Sequence, residues 1–347
     1  MKIYPYLRRA LFTLSAETAH DWVLGGLEEL VRRPRILSGF RRFTEPRMAR
    51  SVSSFGLEFP NRIGTAAGVD KDAAHVRALT ALGFGFIEIG SVTARPWSGE
   101  DRPRIGRIAK ERALVNKVGL PSIGADAVAK RLRSLPQRRV PLFVNVAKTA
   151  DARIVGDDAI EDYCYTVNRL RSYADVLVLN ISCPNTADGK SFEAPEGLRT
   201  LLGSVMPLTR GVPVSVKVSP DLEEGVLREL VAIALAEGVA GFTATNTTSK
   251  RQGLSGRGLP VKLQREGGLS GPPLRDLAIR TVRIIADATQ HSVPIVGVGG
   301  CSKATDVERF VEAGATLIEV YTGLVYEGPG IVRSLCTGGS ASLGSGS

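Results

Sequence analysis

The chain reads as an α/β protein, a (β/α)8 barrel preceded by an N-terminal helical extension. Two observations predict this. From residue 59 onward, short apolar and β-branched runs alternate with helical stretches, and eight such runs occur, at 61–66, 84–90, 141–147, 176–182, 213–219, 241–246, 294–300 and 316–322. Continuous apolar strands joined by helices make a parallel sheet covered by helices, and eight of them close a barrel. The second observation is length. The 347 residues exceed the roughly 250 that one such barrel needs, and most of the surplus precedes the first run.

Residues 1–45 read as short helices. Ser15 is placed to cap the second, Glu17 lies in its first turn, and Arg32 and Arg33 lie in its last. Ala19, Trp22, Val23, Leu27, Leu30 and Val31 recur at helical spacing and predict one apolar stripe, flanked by Arg8, Arg9, Arg35, Arg41 and Arg42. Such a helix suits packing on its own domain or lying in a membrane interface. The alternation in residues 51–59 predicts a small hairpin closing the barrel floor. The barrel itself is expected over 46–337. The tail, 338–347, is almost entirely Gly and Ser and is expected to be disordered.

Apolar residues make up 43% and charged residues 23%, ordinary for a globular protein. The net charge is +10, and residues 1–50 hold +5 of it, with ten Lys or Arg against five Asp or Glu. A basic balance suits nucleic acid, an anionic membrane surface or an anionic substrate; its N-terminal bias favours the membrane surface. Cys164, Cys183, Cys301 and Cys336 show no C-x-x-C spacing, so neither a metal site nor an iron–sulfur cluster is expected, and their scatter suits reduced thiols. No signal peptide and no stretch of roughly 20 apolar residues is present, so attachment to a membrane would be peripheral.

In this fold the chemistry sits at the C-terminal ends of the strands. Those ends carry Lys71, Ser91 and Thr93, Asn145 and Lys148, Asn180 and Cys183, Lys217, Thr245 to Thr248, and Tyr321 and Thr322. Any one of them alone suits a structural role. A ring of them is costly to bury without a polar ligand at its centre. Gly267-Gly268-Leu269-Ser270-Gly271 before a helix, and Gly299-Gly300 ending the seventh strand, suit close approach of backbone N–H groups to a phosphate. The P-loop pattern is absent.

Five motifs in register are similar to those of the dihydroorotate dehydrogenase family: Ala67-Gly68-Val69-Asp70-Lys71-Asp72, Ile87-Glu88-Ile89-Gly90-Ser91-Val92-Thr93, Asn180-Ile181-Ser182-Cys183-Pro184-Asn185-Thr186, Ala244-Thr245-Asn246-Thr247-Thr248 and the Gly267–Gly271 stretch. The layout resembles the membrane-associated, quinone-using class 2, from about residue 4 to about residue 335. The resemblance implies oxidation of (S)-dihydroorotate to orotate in pyrimidine biosynthesis with bound FMN. It implies FMN contacts at Ala67, Gly68, Val69, Asp70, Lys71, Ser91, Asn145, Asn180, Lys217 and Thr245. The FMN phosphate would sit on Gly271, Gly300, Tyr321 and Thr322. Substrate contacts would come from Lys71, Asn116, Lys117, Val118, Gly119, Leu120, Asn180, Asn185, Asn246 and Thr247; amides suit a ring of alternating N–H and C=O groups. Cys183 would be the general base, and His20, Arg107 and Tyr321 would line a quinone tunnel. By itself His20 suits an ordinary helix surface equally well, and Arg107 a solvated rim.

The resemblance also implies a monomer on the cytoplasmic face of the cell membrane, without an iron–sulfur subunit and without nucleic acid. Three features depart from class 2. Cys183 stands where Ser is typical and Cys marks the soluble class 1, which opens the choice of acceptor between a quinone and fumarate. The 187–197 loop, the expected lid, is longer than usual. Lys117-Val118 replaces the usual Arg and bulkier residue. Two other readings compete. One is an FMN-dependent tRNA dihydrouridine synthase, disfavoured by Lys71-Asp72, Asn246-Thr247-Thr248 and the lack of an RNA-binding domain; the other is a non-catalytic FMN barrel.

Overall fold

The computed structural model describes residues 3–46, 49–182, 192–251, 254 and 258–337. Cys183, Asn185, the first part of the 187–197 loop and the 338–347 tail lie outside the described residues.

Three helices come first: α1 (Tyr4–Leu11), α2 (Ala16–Val31) and α3 (Pro34–Thr44). The Thr18 N–H donates to Ser15 Oγ at 3.1 Å, the cap the sequence predicts. Arg32 is the C-cap residue and Arg33 already precedes α3, one position short of the expected last turn. The single apolar stripe is corrected. Ala19, Leu24 and Val31 are buried, and Val31 packs with Ala78 and Ala81 of the helix Val76–Thr80. Trp22 and Val23 point the other way, Trp22 with 69% exposure. The spacing of these apolar residues fits two faces, and among the described residues only one is packed against the rest of the chain.

A hairpin follows, β1 (Val52–Ser54) and β2 (Leu57–Phe59), turned by Phe55 and Gly56, both with positive φ. That backbone matches the twist of a two-residue hairpin loop. Phe59 is fully buried and meets Phe86 and Phe143 edge-on, at 5.6 and 6.0 Å between ring centres. These rings close the N-terminal end of the barrel. Gly64 makes room for them, because a Cβ there would lie 2.4 Å from the Phe86 ring.

Eight parallel strands form the barrel: β3 (Ile63–Asp70), β4 (Phe86–Val92), β7 (Leu142–Val146), β8 (Val176–Asn180), β9 (Val214–Val218), β10 (Gly241–Ala244), β12 (Ile295–Val298) and β13 (Leu317–Val320). Each pairs with the next in chain order, and β13 pairs with β3 to close the ring. Every predicted run overlaps one of them; β3 and β4 extend past the predicted ends, to Asp70 and Val92. Six are buried at every position, as expected of strands covered by helices outside and packed side chains within. The sequence reading missed a smaller antiparallel sheet, in the order β11 (Gly268–Ser270), β6 (Ala113–Asn116), β5 (Ile105–Ile108). It stands at the barrel mouth between the N-terminal helices and the glycine-rich stretch.

Polar contacts hold the N-terminal helices to the barrel. Arg104 on the approach to β5 donates through Nε to Glu17 Oε1 at 2.8 Å, and its backbone N–H donates to Glu17 Oε2. Burial opposes ionisation of Glu17, but the hydrogen bonds from Arg104 outweigh it and hold the carboxyl below its usual range. Tyr4 donates its hydroxyl to Val325 O at 2.7 Å, and Arg8 donates to Tyr326 O at 2.6 Å.

Candidate functional site

A cavity of about 670 Å³ opens at the C-terminal ends of the barrel strands. Ala67, Gly68 and Lys71 from β3 and its following turn line it, with Ser91 from β4, Asn180 from β8 and Lys217 from β9. Thr245, Asn246 and Thr247 follow β10 into the same space. The small sheet supplies Asn116, and the segment after it supplies Lys117, Val118, Gly119 and Leu120. Gly271, Gly300, Tyr321 and Thr322 close the side beyond β12 and β13. Most of the predicted site residues therefore come together around one void.

Three do not line it. Val69 is buried in the core at 4% exposure. The Asp70 carboxylate accepts from the backbone N–H groups of Ala74 and His75, at 2.9 and 2.8 Å, and so shapes the turn after β3. Asn145 lies fully buried beneath Ser91, whose hydroxyl donates to its Oδ1.

From Asn145 a chain of amides and hydroxyls runs across the floor. Asn145 Nδ2 donates to Glu88 at 2.9 Å, and Asn180 Nδ2 donates to Ser91 Oγ at 3.1 Å. Ser182 donates to Asn180 Oδ1 at 3.1 Å, and Asn246 Nδ2 donates to Ser182 at 2.7 Å. These amides are thereby locked in orientation before any ligand arrives. Below them Lys217 is fully enclosed. Its Nζ is 2.9 Å from Glu88 and 3.6 Å from Glu319. Burial alone would neutralise this amine, but the two carboxyls outweigh it and raise its pKa.

Lys71 donates to Gly68 O at 3.3 Å; burial, then the charge of Arg104, lowers its pKa. Lys117 is a rim residue, paired with Glu266 at 2.5 Å. At the far side Gly271 and Gly300 form a notch. Both have positive φ, and a Cβ on Gly300 would lie 2.6 Å from Gly271 O. Thr322 Oγ1 and Ser270 Oγ share a hydrogen bond of 2.8 Å beside the notch.

Of the two residues singled out for the quinone path besides Tyr321, His20 faces inward. Burial and then the neighbouring Lys71 charge lower its pKa to about 4, and it interacts with the Val69 backbone. Arg107 donates to Leu14 O at 2.8 Å and Ser15 O at 3.3 Å, and lies 4.5 Å from the centre of the Phe12 ring. It is a brace for the α1–α2 turn rather than a solvated rim charge. Tyr321 stands between the two regions, 3.3 Å from where a Cβ on Gly68 would lie.

The sequence reading passed over Glu88, Glu319, Ser182, Glu193 and Asp221. The two buried glutamates were visible as lone charges in apolar strands. Glu193 lines the mouth; burial raises its pKa to about 7 against the Ser219 N–H that donates to it, and Asp221 raises it further.

A parallel barrel with amides, a lysine and a glycine notch around one mouth belongs to the class of barrel oxidoreductases that hold a phosphate-bearing cofactor beside a small polar substrate. A family profile for dihydroorotate dehydrogenase matches residues 50–343. The chain is 41% identical to the dihydroorotate dehydrogenase (quinone) of Acidithiobacillus ferrooxidans over 96% of its own length and 93% of that protein. It is 42% identical to the Anaeromyxobacter protein of the same name, over 97% and 92%. The crystal structure of the Eimeria tenella enzyme in complex with ferulenol superposes with a TM-score of 0.79 at 29% identity, covering 92% of this chain and 89% of that one. The chain belongs to the dihydroorotate dehydrogenase family, FMN-dependent enzymes that oxidise dihydroorotate to orotate in pyrimidine biosynthesis. The residues present fit FMN. The notch admits a phosphate only because no Cβ fills it, and Lys217 and the oriented amides offer charge and hydrogen bonds at the other end.

Proposed function

We propose that the electrons from dihydroorotate pass to a membrane quinone, and that the residues gathered at the barrel mouth divide the work of the first half-reaction. The observation that carries this reading is the fixed amide floor over Lys217, facing a cavity with the Gly271–Gly300 notch at its other end. FMN, when bound, accepts the hydride. Lys217 holds a positive charge beneath the site, which favours negative charge developing above it. Asn116, Asn180 and Asn246, with Asn185, bind the substrate ring by donating and accepting at fixed angles, and Lys71 meets its carboxylate. Cys183 takes the proton; a thiol with a free pKa near 8.5 serves as a base at lower pH than a hydroxyl can.

The N-terminal helices give the quinone its access. His20 beside Val69 and Lys71, Tyr321 beside Gly68, and Arg107 bracing the α1–α2 turn form the inner end of that path. Exposed apolar side chains support a peripheral membrane position: Ile3, Tyr6, Trp22, Ile36 and Phe43 are each more than half exposed and lie among arginines. No helix among the described residues is long and apolar enough to cross a membrane. We take the enzyme to act as a monomer on the cytoplasmic face, attracted by anionic lipid.

Anaerobic mixing with dihydroorotate, followed by a short-chain quinone or by fumarate, tests this. Dihydroorotate should bleach the yellow protein and quinone should restore the colour. Restoration by fumarate alone would favour the soluble acceptor that Cys183 suggests. Failure of dihydroorotate to bleach it would overturn the assignment of these residues to substrate.

A further inference from the structure

Inside the barrel, under the mouth, two carboxyl groups face one lysine. Glu88 comes from β4, Glu319 from β13 and Lys217 from β9, and both glutamate side chains have no solvent exposure. The charges do not balance if both acids ionise, because one ammonium would sit between two buried carboxylates. The donors are also unevenly shared. Glu88 Oε1 receives both Lys217 Nζ and Asn145 Nδ2, each at 2.9 Å. Among the described residues Glu88 Oε2 and both oxygens of Glu319 lack a hydrogen bond within normal range, and the Lys217 ammonium stands 3.6 Å from Glu319. The two carboxyls are close enough to interact directly. A proton carried by one of the two carboxyls would give those oxygens the hydrogen bond they lack.

We propose that Glu88 and Glu319 share a single proton, resident on Glu319, so that the Glu88–Lys217–Glu319 triad is electrically neutral and holds Lys217 charged and centred beneath the cofactor. Glu319 is then a positioning residue, acting through Glu88 and Lys217. The directions of titration agree. Burial and the Glu88 charge raise Glu319 well above the usual carboxylate range, whereas burial of Glu88 is outweighed by Lys217. The Lys217 charge pulls the other way on Glu319 and does not overcome burial and Glu88. Negative charge arriving on the cofactor strengthens the hold on that proton, so the triad stays neutral through the redox cycle. Loss of the proton would set a net negative charge under a ring that must itself become negative.

Infrared spectroscopy of the resting holoenzyme, with ¹³C-glutamate and in H2O against D2O, tests the proposal. Working at about pH 9 leaves Glu193, with its pKa of about 7, ionised. The wild type should show a protonated-carboxyl C=O band that E319Q removes. E88Q should remove it as well, because Glu319 then surrenders its proton and becomes the partner of Lys217. The midpoint potential of the bound cofactor should stay at the wild-type value in E319Q, since an amide replaces a neutral acid of the same shape. A band untouched by E319Q, a band surviving in E88Q, or a positive shift of the potential in E319Q would each overturn it. The wild-type measurement needs no variant to fold, and absence of any D2O-sensitive glutamic acid band at that pH would be equally fatal.

Discussion

Cys183 and Glu193 each carry a prediction. If Cys183 is the base, C183A should slow bleaching by dihydroorotate on the order of 10²- to 10⁴-fold at neutral pH. C183S should recover activity only as pH rises, and a stopped-flow pH series reads both. Glu193 affects stability instead. Burial lifts its pKa from 4.5 to about 7, so the unfolded chain releases this proton first as pH rises. The stability it contributes is fully present below about 4.5 and is lost as pH climbs through about 7. Urea midpoints at about pH 5 and about pH 8 should therefore differ less in E193Q than in the wild type. At this scale the sequence was legible where a motif named a side chain, and misleading where it named a contiguous stretch. Val69 and Asp70 were included with Gly68 and Lys71, yet Val69 enters the core and Asp70 accepts from its own turn. Glu88 and Glu319 were each a single odd letter in an apolar run; only closure of the barrel through the β13–β3 pairing sets them against one lysine.

The elements were easier to read than their partners. All eight barrel strands announced themselves, because a strand buried on both faces must be apolar at nearly every position. The β1–β2 hairpin was legible from its alternation. The β5, β6 and β11 sheet was not, since strands of three or four residues in long connections carry too few positions to show a period. The α2 helix misled because Trp22 and Val23 satisfy helical spacing without sharing the face that packs on Ala78 and Ala81. The glycine notch bears a prediction at this scale. In G300A the new Cβ meets Gly271 O at 2.6 Å and the backbone φ of +71° disfavours any side chain. FMN retention on gel filtration should weaken on the order of tenfold or more, about 1.4 kcal/mol, while the barrel melts close to its wild-type temperature.

Across the whole molecule, the closed barrel and the N-terminal helices present different surfaces. Exposed large apolar side chains are scattered singly over the barrel but gather on the N-terminal helices, at Ile3, Tyr6, Leu7, Trp22, Val23, Ile36 and Phe43. Trp22 and Phe43, 69% and 62% exposed, touch too little of the chain to matter for its stability, where surface changes stay within about 0.5 kcal/mol. Replacing both by Ser should leave the melting temperature and dihydroorotate bleaching alone and reduce binding to anionic vesicles; flotation reads the difference. Undiminished flotation would assign those side chains to something other than lipid.

The small sheet at the mouth also constrains what can be exchanged between relatives. Its outer strand β5 pairs with β6, β6 pairs with β11, and Asn116 ends both pairings, opposite Ile105 on one side and Gly268 on the other. The same outer strand carries Arg107, and Arg104 precedes it, the two residues that grip α1 and α2. The α1–α2 turn, the start of α2 and Asn116 thus hang from one three-stranded sheet. A chimaera that takes its N-terminal helices from another family member therefore inherits a mismatched grip unless residues 104–116 travel with them, and breeding a new quinone preference into this scaffold is a task for two segments of the gene at once.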